Sequence, residues 1–453
     1  NANTITIGAS GDTVTLASGA SQSGFGRSGT VDWQTSIKTS GFTAVSGEGY
    51  FCNTTSAAFT VTLPASPSAG DIVAIKDYAN TADTNQITIG RNGSNIDGTA
   101  SDPVIANEGG SIVLVYADAT KGWLVVEAAQ KSDIGFPSFI AATGGTVTTC
   151  GNFKIHTFTG PGTFCVSTVG NSLGSSTVDY LVIAGGGGGG HGQACFQAAG
   201  GGGAGGYRES SGTASGSYTV SPLGACVSAL PVSVQGYPIT VGSGGAGAPA
   251  QADPNPGSVN GSNSVFSTIT SAGGGYGRGY PNQNGNPGGS GGGAGTLNST
   301  PVGLSPATAG TGNTPPVSPP QGNPGGRGTQ AAFQANHSGG GGGGATGAGG
   351  NGCATGDGGD GGASATSSIN GTPTARAGGG SGSSDTNCAG AVSGGGGAGG
   401  GAPFTPSGRQ DGSNGTANTG GGGGGGAAAT APGNSAGGGT GGSGIVVIRY
   451  KFQ

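Results

Sequence analysis

Long runs of consecutive glycine constrain this chain more than any other feature of its sequence. The longest runs are residues 185–190, 339–344 and 420–426. Glycine inside an α-helix costs about 1 kcal/mol per residue relative to alanine, so these runs exclude helical bundles and α/β enzymes. Two interpretations remain: flexible linkers, or left-handed polyglycine II helices with three residues per turn that pack side by side.

The composition around the runs favours the ordered interpretation. Residues 184–453 contain 87 of the 111 glycines, and only 7% of the chain is charged, too little to keep a disordered segment well solvated. Two strongly apolar segments, 178–184 and 445–450, bracket the region and read as β-strands. Because a polyglycine II helix has no internal hydrogen bonds, its backbone groups must bond to neighbouring helices. We therefore predict a packed lattice.

The lattice predicts where side chains are excluded. A β-branched side chain in the middle of a packed run would push neighbouring backbones apart. We therefore expect valine to be far more disruptive at Gly342 or Gly423 than at Gly242, which lies outside the long runs.

The front of the chain has the pattern of an all-β protein with essentially no α-helix. Residues 1–40 form a stem, with short alternating segments at Thr4–Ile7 and Thr13–Leu16 and a polar connector from Ser18 to Ser40. Residues 41–130 predict a small antiparallel β-sandwich or a jelly-roll-like fold. Its seven predicted strands are Phe42–Val45, Tyr50–Asn53, Phe59–Leu63, Asp71–Asp77, Ile87–Ile89, Ile112–Tyr116 and Trp123–Val126.

The predicted organisation continues with three further segments. Residues 131–183 form a β-strand base for the glycine-rich domain, residues 184–443 form the polyglycine II lattice, and residues 444–453 form a closing strand. The absence of any methionine, including at position 1, predicts that the natural N-terminus lies upstream.

The seven cysteines allow two interpretations. Their spacing permits three local disulfides, Cys150 with Cys165, Cys195 with Cys226 and Cys353 with Cys388, which would leave Cys52 unpaired and require an oxidising environment. Alternatively, they are buried reduced thiols that pack as small apolar side chains. The chain has no C-x-x-C motif, so we expect no zinc site.

Charge and motifs argue against several classes of function. The net charge is −5 without a basic block, so we expect no nucleic-acid partner, and no apolar segment is long enough for membrane insertion. Two G-x-S-x-G matches, at 170–174 and 433–437, lack the strand–turn–helix context of a catalytic serine. We therefore expect neither enzyme activity nor a cofactor.

Two minor alternatives depend on carboxylates. Asp357 and Asp360 offer hard oxygen ligands for calcium. A carboxylate pair such as Asp71 and Asp102 could cleave a glycan if the fold brought the two together.

Several segments resemble proteins of bacteriophage tails. L-P-A-S-P-S-A-G at 63–70 and I-T-I-G-R-N-G-S-N-I-D-G at 87–98 resemble a domain of marine phage tail-fibre proteins. K-I-H-T-F-T-G-P-G-T-F from Lys154, G-G-G-A-G-G-Y-R-E at 201–209 and G-G-S-G-I-V-V-I-R-Y at 441–450 are similar to the glycine-rich domain of phage tail fibres and adhesins. The resemblance implies a location in the virion, threefold fibres attached to other tail proteins, and lattice loops that touch the host surface.

From these features we expect a homotrimeric phage tail-fibre protein that serves in host attachment. A glycine lattice offers few side chains, so the inserts between runs should carry recognition of a protein or glycan receptor. The large amphipathic residues in the inserts are the candidate contacts: His191, Phe196, Tyr276, Arg278, Tyr280, Phe333, His337, Phe404 and Arg409. The alternatives are a purely structural virion fibre or decoration protein without a receptor, and a bacterial extracellular filament or surface protein.

Overall fold

The computed structural model divides into two compact units, and the boundary in the sequence falls between Pro137 and Ser138. It describes residues 31–128, 134–135, 137–171, 173–192, 198–216, 218–224, 227–250, 257–279, 283–298, 307–331, 337–385, 388–400, 409–428 and 435–453. The predicted strands at Thr4–Ile7 and Thr13–Leu16 lie outside these ranges. The all-β prediction is confirmed, since the one helical segment among the described residues is a 3-10 turn at Pro222–Gly224.

The front unit is a pair of five-stranded sheets, in the orders β1-β3-β5-β8-β9 and β10-β7-β6-β4-β2. Its strands are β1 Asp32–Lys38, β2 Phe42–Thr43, β3 Glu48–Cys52, β4 Phe59–Thr62, β5 Ile72–Asp77, β6 Ile87–Gly90, β7 Val104–Ile105, β8 Ser111–Asp118, β9 Gly122–Ala128 and β10 Ile134–Gly135. Buried residues between the sheets, among them Tyr50, Leu63, Ile75, Ile89 and Trp123, form one hydrophobic core.

The pairing in these sheets is mixed, so the antiparallel expectation is wrong. From β2 to β6 the chain alternates between the sheets and enters each in the same direction, which makes β3–β5, β2–β4 and β4–β6 parallel. The expectation of a connector up to Ser40 is also wrong, because β1 pairs parallel to β3. This strand places Trp33 against Phe51, with ring centroids 4.8 Å apart.

The second unit begins with strands that form two sheets beneath the glycine runs. The sheets have the orders β11-β14-β18-β19-β20 and β12-β13-β27-β15-β16, and β17 also pairs with β15. The strands are β11 Ala141–Thr143, β12 Thr146–Cys150, β13 Phe153–Phe158, β14 Gly162–Thr168, β15 Thr177–Ile183, β16 Tyr207–Glu209, β17 Leu230–Pro231, β18 Gln235–Thr240, β19 Ser264–Phe266, β20 Ile269–Ser271 and β27 Ile445–Lys451. Three short pairs complete the unit: β21 Leu297–Asn298 with β22 Gln330–Ala331, β23 Ala365–Ser367 with β24 Thr374–Arg376, and β25 Arg409–Gln410 with β26 Ala427–Ala428.

The two strands that bracket the glycine-rich region pair directly with each other. β15 and β27 are antiparallel, with Ile183 opposite Ile445 and Asp179 opposite Arg449. Both strands are buried on both faces, against one cluster that contains Phe164 and Phe266 and a second around Leu181. The whole glycine lattice is therefore an insertion between two neighbouring strands.

The lattice consists of polyglycine II helices, and the run 185–190 shows the bonding pattern. Its amide N–H groups reach three antiparallel neighbours in turn, and residues three apart donate to the same neighbour. The bonds are Gly185 to Ser262 (3.0 Å), Gly188 to Val259 (3.0 Å), Gly186 to Gly442 (2.9 Å), Gly189 to Gly439 (2.8 Å), Gly187 to Gly203 (2.9 Å) and Gly190 to Gly200 (3.0 Å). A period of three is the repeat of the polyproline II type of helix.

The carbonyl groups of the same run reach three further neighbours, which are parallel. They accept from Gly274 and Gly277 (both 2.9 Å), from Gly245 (2.8 Å) and Ala248 (3.0 Å), and from Gly423 and Gly426 (both 2.9 Å). The run thus has six neighbouring backbones, and each of its N–H and C=O groups is bonded. This arrangement satisfies a buried backbone without helix or sheet ladders.

The close approach of the backbones explains why the runs are glycine. A Cβ atom on Gly342 would lie 2.0 Å from the carbonyl oxygen of Gly202, and one on Gly423 would lie 2.0 Å from that of Gly439. The expected tolerance at Gly242 is wrong, because a Cβ there would lie 2.0 Å from the carbonyl oxygen of Ser262. By contrast, a Cβ on Gly160, in a turn between strands, would meet nothing within 4 Å.

Candidate functional site

The hydrogen bonds give the lattice two distinct ends. We call the end where residues 184 and 444 join β15 and β27 the base end, and the opposite one the distal end. Gly190 and Gly192 lie at the distal end, where Gly190 donates to Gly200 and Gly192 bridges to Ala436. The parallel neighbours of this run, 274–277 and 423–426, therefore also point their C-terminal residues to the distal end.

The same reasoning places other segments at the distal end. The N–H of Ser383 donates to the carbonyl of Ala199 at 3.0 Å, beside Gly200, so Asp385 lies at this end too. The N–H of Asp385 in turn donates to the carbonyl of His337 at 3.1 Å. The lattice thus brings together, at one end, polar side chains from separate glycine runs.

Tyr276 and Arg278 form an ordered, half-buried pair at the distal end. Arg278 Nη2 donates to the hydroxyl oxygen of Tyr276 at 2.8 Å, and the guanidinium carbon lies 4.5 Å from the centroid of the tyrosine ring. A guanidinium over an aromatic face is attracted by the ring quadrupole. The sequence-based expectation that these side chains reach the surface agrees with their partial exposure.

The main chain beneath this pair is held by its neighbours. Arg278 donates its N–H to Gly293 at 3.2 Å and accepts from Gly200 at 2.8 Å. The N–H of Tyr276 donates to Asn260 Oδ1 at 3.0 Å, and Asn286 Nδ2 donates to the same oxygen at 3.0 Å. Two amide side chains therefore lie beside the main chain of Tyr276.

The histidines of the distal end are buried. His337 is fully buried, with Nδ1 3.0 Å from Asp385 Oδ2 and its backbone N–H 2.8 Å from Asp385 Oδ1. His191 is 4% exposed. Neither side chain lies at the surface for contact with a receptor. The expected roles of these two residues are corrected accordingly.

The remaining predicted contacts are not described in side-chain detail. Arg409 is the first residue of β25, which pairs with β26, and its side chain is not among the described groups. Phe196, Tyr280, Phe333 and Phe404 lie outside the described residues.

Sequence reasoning missed a set of buried polar residues at the base end. Asp179 accepts hydrogen bonds from Ser210 Oγ (2.7 Å), Gly212 N (3.1 Å), and both Ser215 N (2.8 Å) and Oγ (2.5 Å). These contacts tie the segment after β16 to β15. A carboxylate inside an otherwise apolar strand, V-D-Y-L-V-I, was the signal that could have found it.

Glu209 is a second buried carboxylate at the base end. It accepts from Tyr207 Oη and Ser221 N, both at 3.0 Å, and from Ser367 Oγ. Burial raises the pKa of Glu209, and burial also lowers the pKa of the nearby Arg376. Because Tyr207 lies in β16 and Ser367 lies in β23, these hydrogen bonds join the two strands.

The carboxylates proposed for glycan cleavage and for calcium binding each have their own partners. Asp71 accepts from Ser68 N, whereas Asp102 pairs with Arg91 at 3.7 Å. Asp360 accepts from Ala391 N at 2.6 Å. Over the described residues, no group of three or more histidine, cysteine or acidic side chains is arranged to hold a metal ion.

The cysteines that the structure describes are free thiols. Cys150, Cys165, Cys353 and Cys388 are unpaired, so the proposed disulfides between them are not formed; Cys195 and Cys226 lie outside the described residues. Cys52 is fully buried, and burial, with a contribution from Asp77, raises the pKa of its thiol to about 12. Its surroundings match the buried-thiol alternative, whereas Cys165, Cys353 and Cys388 are exposed, so that alternative is wrong for them.

Comparisons with known proteins bear on the second unit. A family model described as glycine-rich domain matches residues 157–451, from within β13 to the last residue of β27. The match therefore covers more than half of the chain and includes both bracketing strands. No curated protein matches the chain. In the described part of the chain, none of the helical structure is long and apolar enough to cross a membrane.

Proposed function

The chain belongs to the glycine-rich domain family, and we propose that it is a non-enzymatic bacteriophage tail-fibre protein that attaches the virion to its host. In this proposal the distal end of the lattice contacts a receptor on the cell surface. The single observation that carries the proposal is the polarity of the lattice. The ordered Tyr276–Arg278 pair lies at the end opposite the sheets that anchor the unit.

A rigid support suits this role. Glycine loses more backbone entropy on folding than other residues, so the lattice is stable only with nearly all of its backbone groups bonded. The run 185–190 meets that condition through its six neighbours. A support of this kind presents side chains from different runs in fixed positions, which lowers the entropy lost on binding.

The front unit supports the proposed homotrimer and attachment to other tail proteins. Trp33 and Val126 are 40% and 55% exposed, and they border a largely apolar surface groove together with Ile72, Val113, Val115 and one charged residue, Glu127. Exposed apolar patches of this kind mark interaction surfaces on soluble proteins. We propose that two further copies of this chain cover the groove within the virion.

A cell-binding assay tests the attachment role. The full chain, fluorescently labelled, is incubated with a panel of bacterial strains and with virions that carry the same chain. We expect binding to the strains that the virions infect, and competition between free chain and virions for adsorption. Double replacement of Tyr276 and Arg278 by alanine should weaken both readouts.

Other results would favour the alternatives. Virions that adsorb normally while the free chain neither binds nor competes would indicate a structural spacer. Antibodies that label filaments on bacterial cells and leave virions unlabelled would indicate a bacterial surface protein.

A further inference from the structure

We propose that the Tyr276–Arg278 pair binds the anionic group of an acidic polysaccharide. This inference deepens the proposed function by naming the chemical class of ligand at the distal end, and it rests on that function for its biological setting. Among the described residues, Arg278 is a cation without an ion-pair partner, and it is held in a fixed position beside neutral hydrogen-bonding groups.

Among the described residues, Arg278 has no ion-pair partner. It is the only charged residue between Asp253 and Arg327 in the sequence. In the described part of the chain, the recorded ion pairs are Arg91–Asp102 and His337–Asp385, and neither involves Arg278. Within the described residues, the guanidinium therefore carries a positive charge that no carboxylate pairs with.

Within the described part of the chain, the guanidinium also retains most of its donors. It has five N–H groups in a planar fork, and the recorded side-chain hydrogen bond uses one of them, toward Tyr276 Oη. The remaining donors suit bidentate contact with a carboxylate, sulfate or phosphate. The stacking on Tyr276 at 4.5 Å restricts the side chain before a ligand arrives, so less conformational entropy is lost on binding.

The surroundings suit a sugar better than a bare ion. Asn260 and Asn286 lie beside the main chain of Tyr276 and are joined by their own hydrogen bond, and each is only partly buried. Asn260 Oδ1 accepts from both Tyr276 N and Asn286 Nδ2, so the two amides form a fixed polar edge, which suits the hydroxyl side of a sugar. The half-buried tyrosine ring offers an apolar edge to the C–H groups of a pyranose. An anion, hydroxyls and an apolar face occur together in an acidic sugar unit.

Nucleic acid is the less favoured polyanion. Its binding depends on several basic side chains that displace counterions from successive phosphates. The Tyr276–Arg278 pair supplies one such cation. A polysaccharide with one charge per sugar instead offers many equivalent copies of a small epitope, and a trimer could bind it with avidity.

The experiment is affinity electrophoresis of the full chain through gels that contain polygalacturonate, dextran sulfate or neutral dextran. The two anionic polymers separate carboxylate from sulfate recognition, and dextran controls for sieving. We expect retardation by at least one anionic polymer and none by dextran. Arg278→Gln should weaken the apparent affinity at least about tenfold, and Tyr276→Phe, which removes the bond to the guanidinium, should weaken it less.

Arg327→Gln is the matched control, because Arg327 is an exposed arginine of the same unit and has no aromatic partner among the described residues. It should leave retardation unchanged. Melting curves of each variant show whether it is folded, and Arg278→Lys, which keeps the charge but loses the planar fork, should still lose affinity. A chain that neither anionic polymer retards, or equal losses for Arg278→Gln and Arg327→Gln, would overturn the inference.

Cell binding separates this inference from the proposed function. If Arg278→Gln abolishes polymer retardation but the unmodified chain binds no host cells, the ligand class stands and the attachment role fails. If host cells bind the unmodified chain and Arg278→Gln equally well, the attachment role stands and this inference fails.

Discussion

The backbone N–H of Gly423 donates to the carbonyl oxygen of Gly187 at 2.9 Å, although the two residues lie near opposite ends of the glycine-rich sequence. The first long run and the last are thus direct neighbours in the lattice. Their contact depends on every intervening run returning to the correct position. Local damage to one run should therefore affect the stability of the whole unit.

Gly423→Ala should strongly destabilise the second unit. The added Cβ would lie 2.0 Å from the carbonyl oxygen of Gly439, so backbones must separate and their hydrogen bonds lengthen. Overpacking and lost buried hydrogen bonds together predict a loss of about 3 kcal/mol or more in the free energy of unfolding. Chemical denaturation monitors the change. Gly160→Ala is the control, expected within about 0.5 kcal/mol of the unmodified chain; equal effects at the two positions would contradict a packed lattice.

Asp179→Asn should destabilise the base end. The carboxylate accepts from two backbone N–H groups, of Gly212 and Ser215, and an asparagine amide can face only one of them with an acceptor. One buried donor would be left unsatisfied, which predicts a loss of about 2 kcal/mol. Thermal melting compares this variant with Asp357→Asn, at an exposed position, where we expect no change. Identical melting of both variants would show that the Asp179 contacts contribute nothing.

Acidification should weaken the second unit through His156. Its Nδ1 lies 2.7 Å from the carbonyl oxygen of Gly144 and its Nε2 lies 3.1 Å from Tyr450 Oη, so the neutral ring donates to the first and accepts from the second. Burial lowers the pKa of His156 below 6.5. The unfolded chain therefore binds this proton more readily. The stabilisation is present above pH about 6.5 and is lost as pH falls through the folded pKa.

Melting temperatures at pH 7.5 and pH 5.0 measure this effect. We expect a decrease in the unmodified chain and a smaller decrease in His156→Gln. Glu209 contributes to the pH dependence of both proteins, and its raised pKa increases the stability of the folded state as pH falls. The difference between the two proteins therefore reports the effect of His156. An equal pH dependence in both proteins would exclude His156 as the cause.

The full chain should form a trimer through its front unit. Val126→Asp places a second negative charge, beside Glu127, in the groove next to Trp33 and should shift the mass measured by light scattering from three copies toward one. Val45→Asp is the matched control, since Val45 is also 55% exposed and does not line the groove. A monomeric unmodified chain at micromolar concentration would contradict the proposal.

Periodic patterns predicted the individual strands well. Alternation located β4, β5 and β8 within a few residues, because burial of one face requires a period of two. The parallel pairing of β3 with β5 was not predictable, since it depends on the chain crossing between two sheets at each step. β1 was not predicted because most of its residues are polar and exposed, so it shows no clear apolar alternation. Its pairing with β3 depends on the tertiary structure, which the local sequence does not specify.

The sequence also located part of the candidate site. It singled out Tyr276 and Arg278 as large side chains among glycines, and both are partly exposed. It gave the same weight to His191 and His337, which are buried. Exposure at the end of a run depends on which other runs end beside it, and that is a property of the lattice.

The sequence by itself determined that the second unit is a polyglycine lattice, because only glycine permits backbones to approach within hydrogen-bonding distance on all sides. It also determined that β-strands bracket the lattice, since long apolar segments must be buried. The tertiary structure decided which of the nearly identical runs are neighbours, and so which side chains share the distal end. Runs of one residue type carry no pairing information of their own. Their order is fixed by β15 and β27, by buried carboxylates such as Asp179, and by the lengths of the segments between runs.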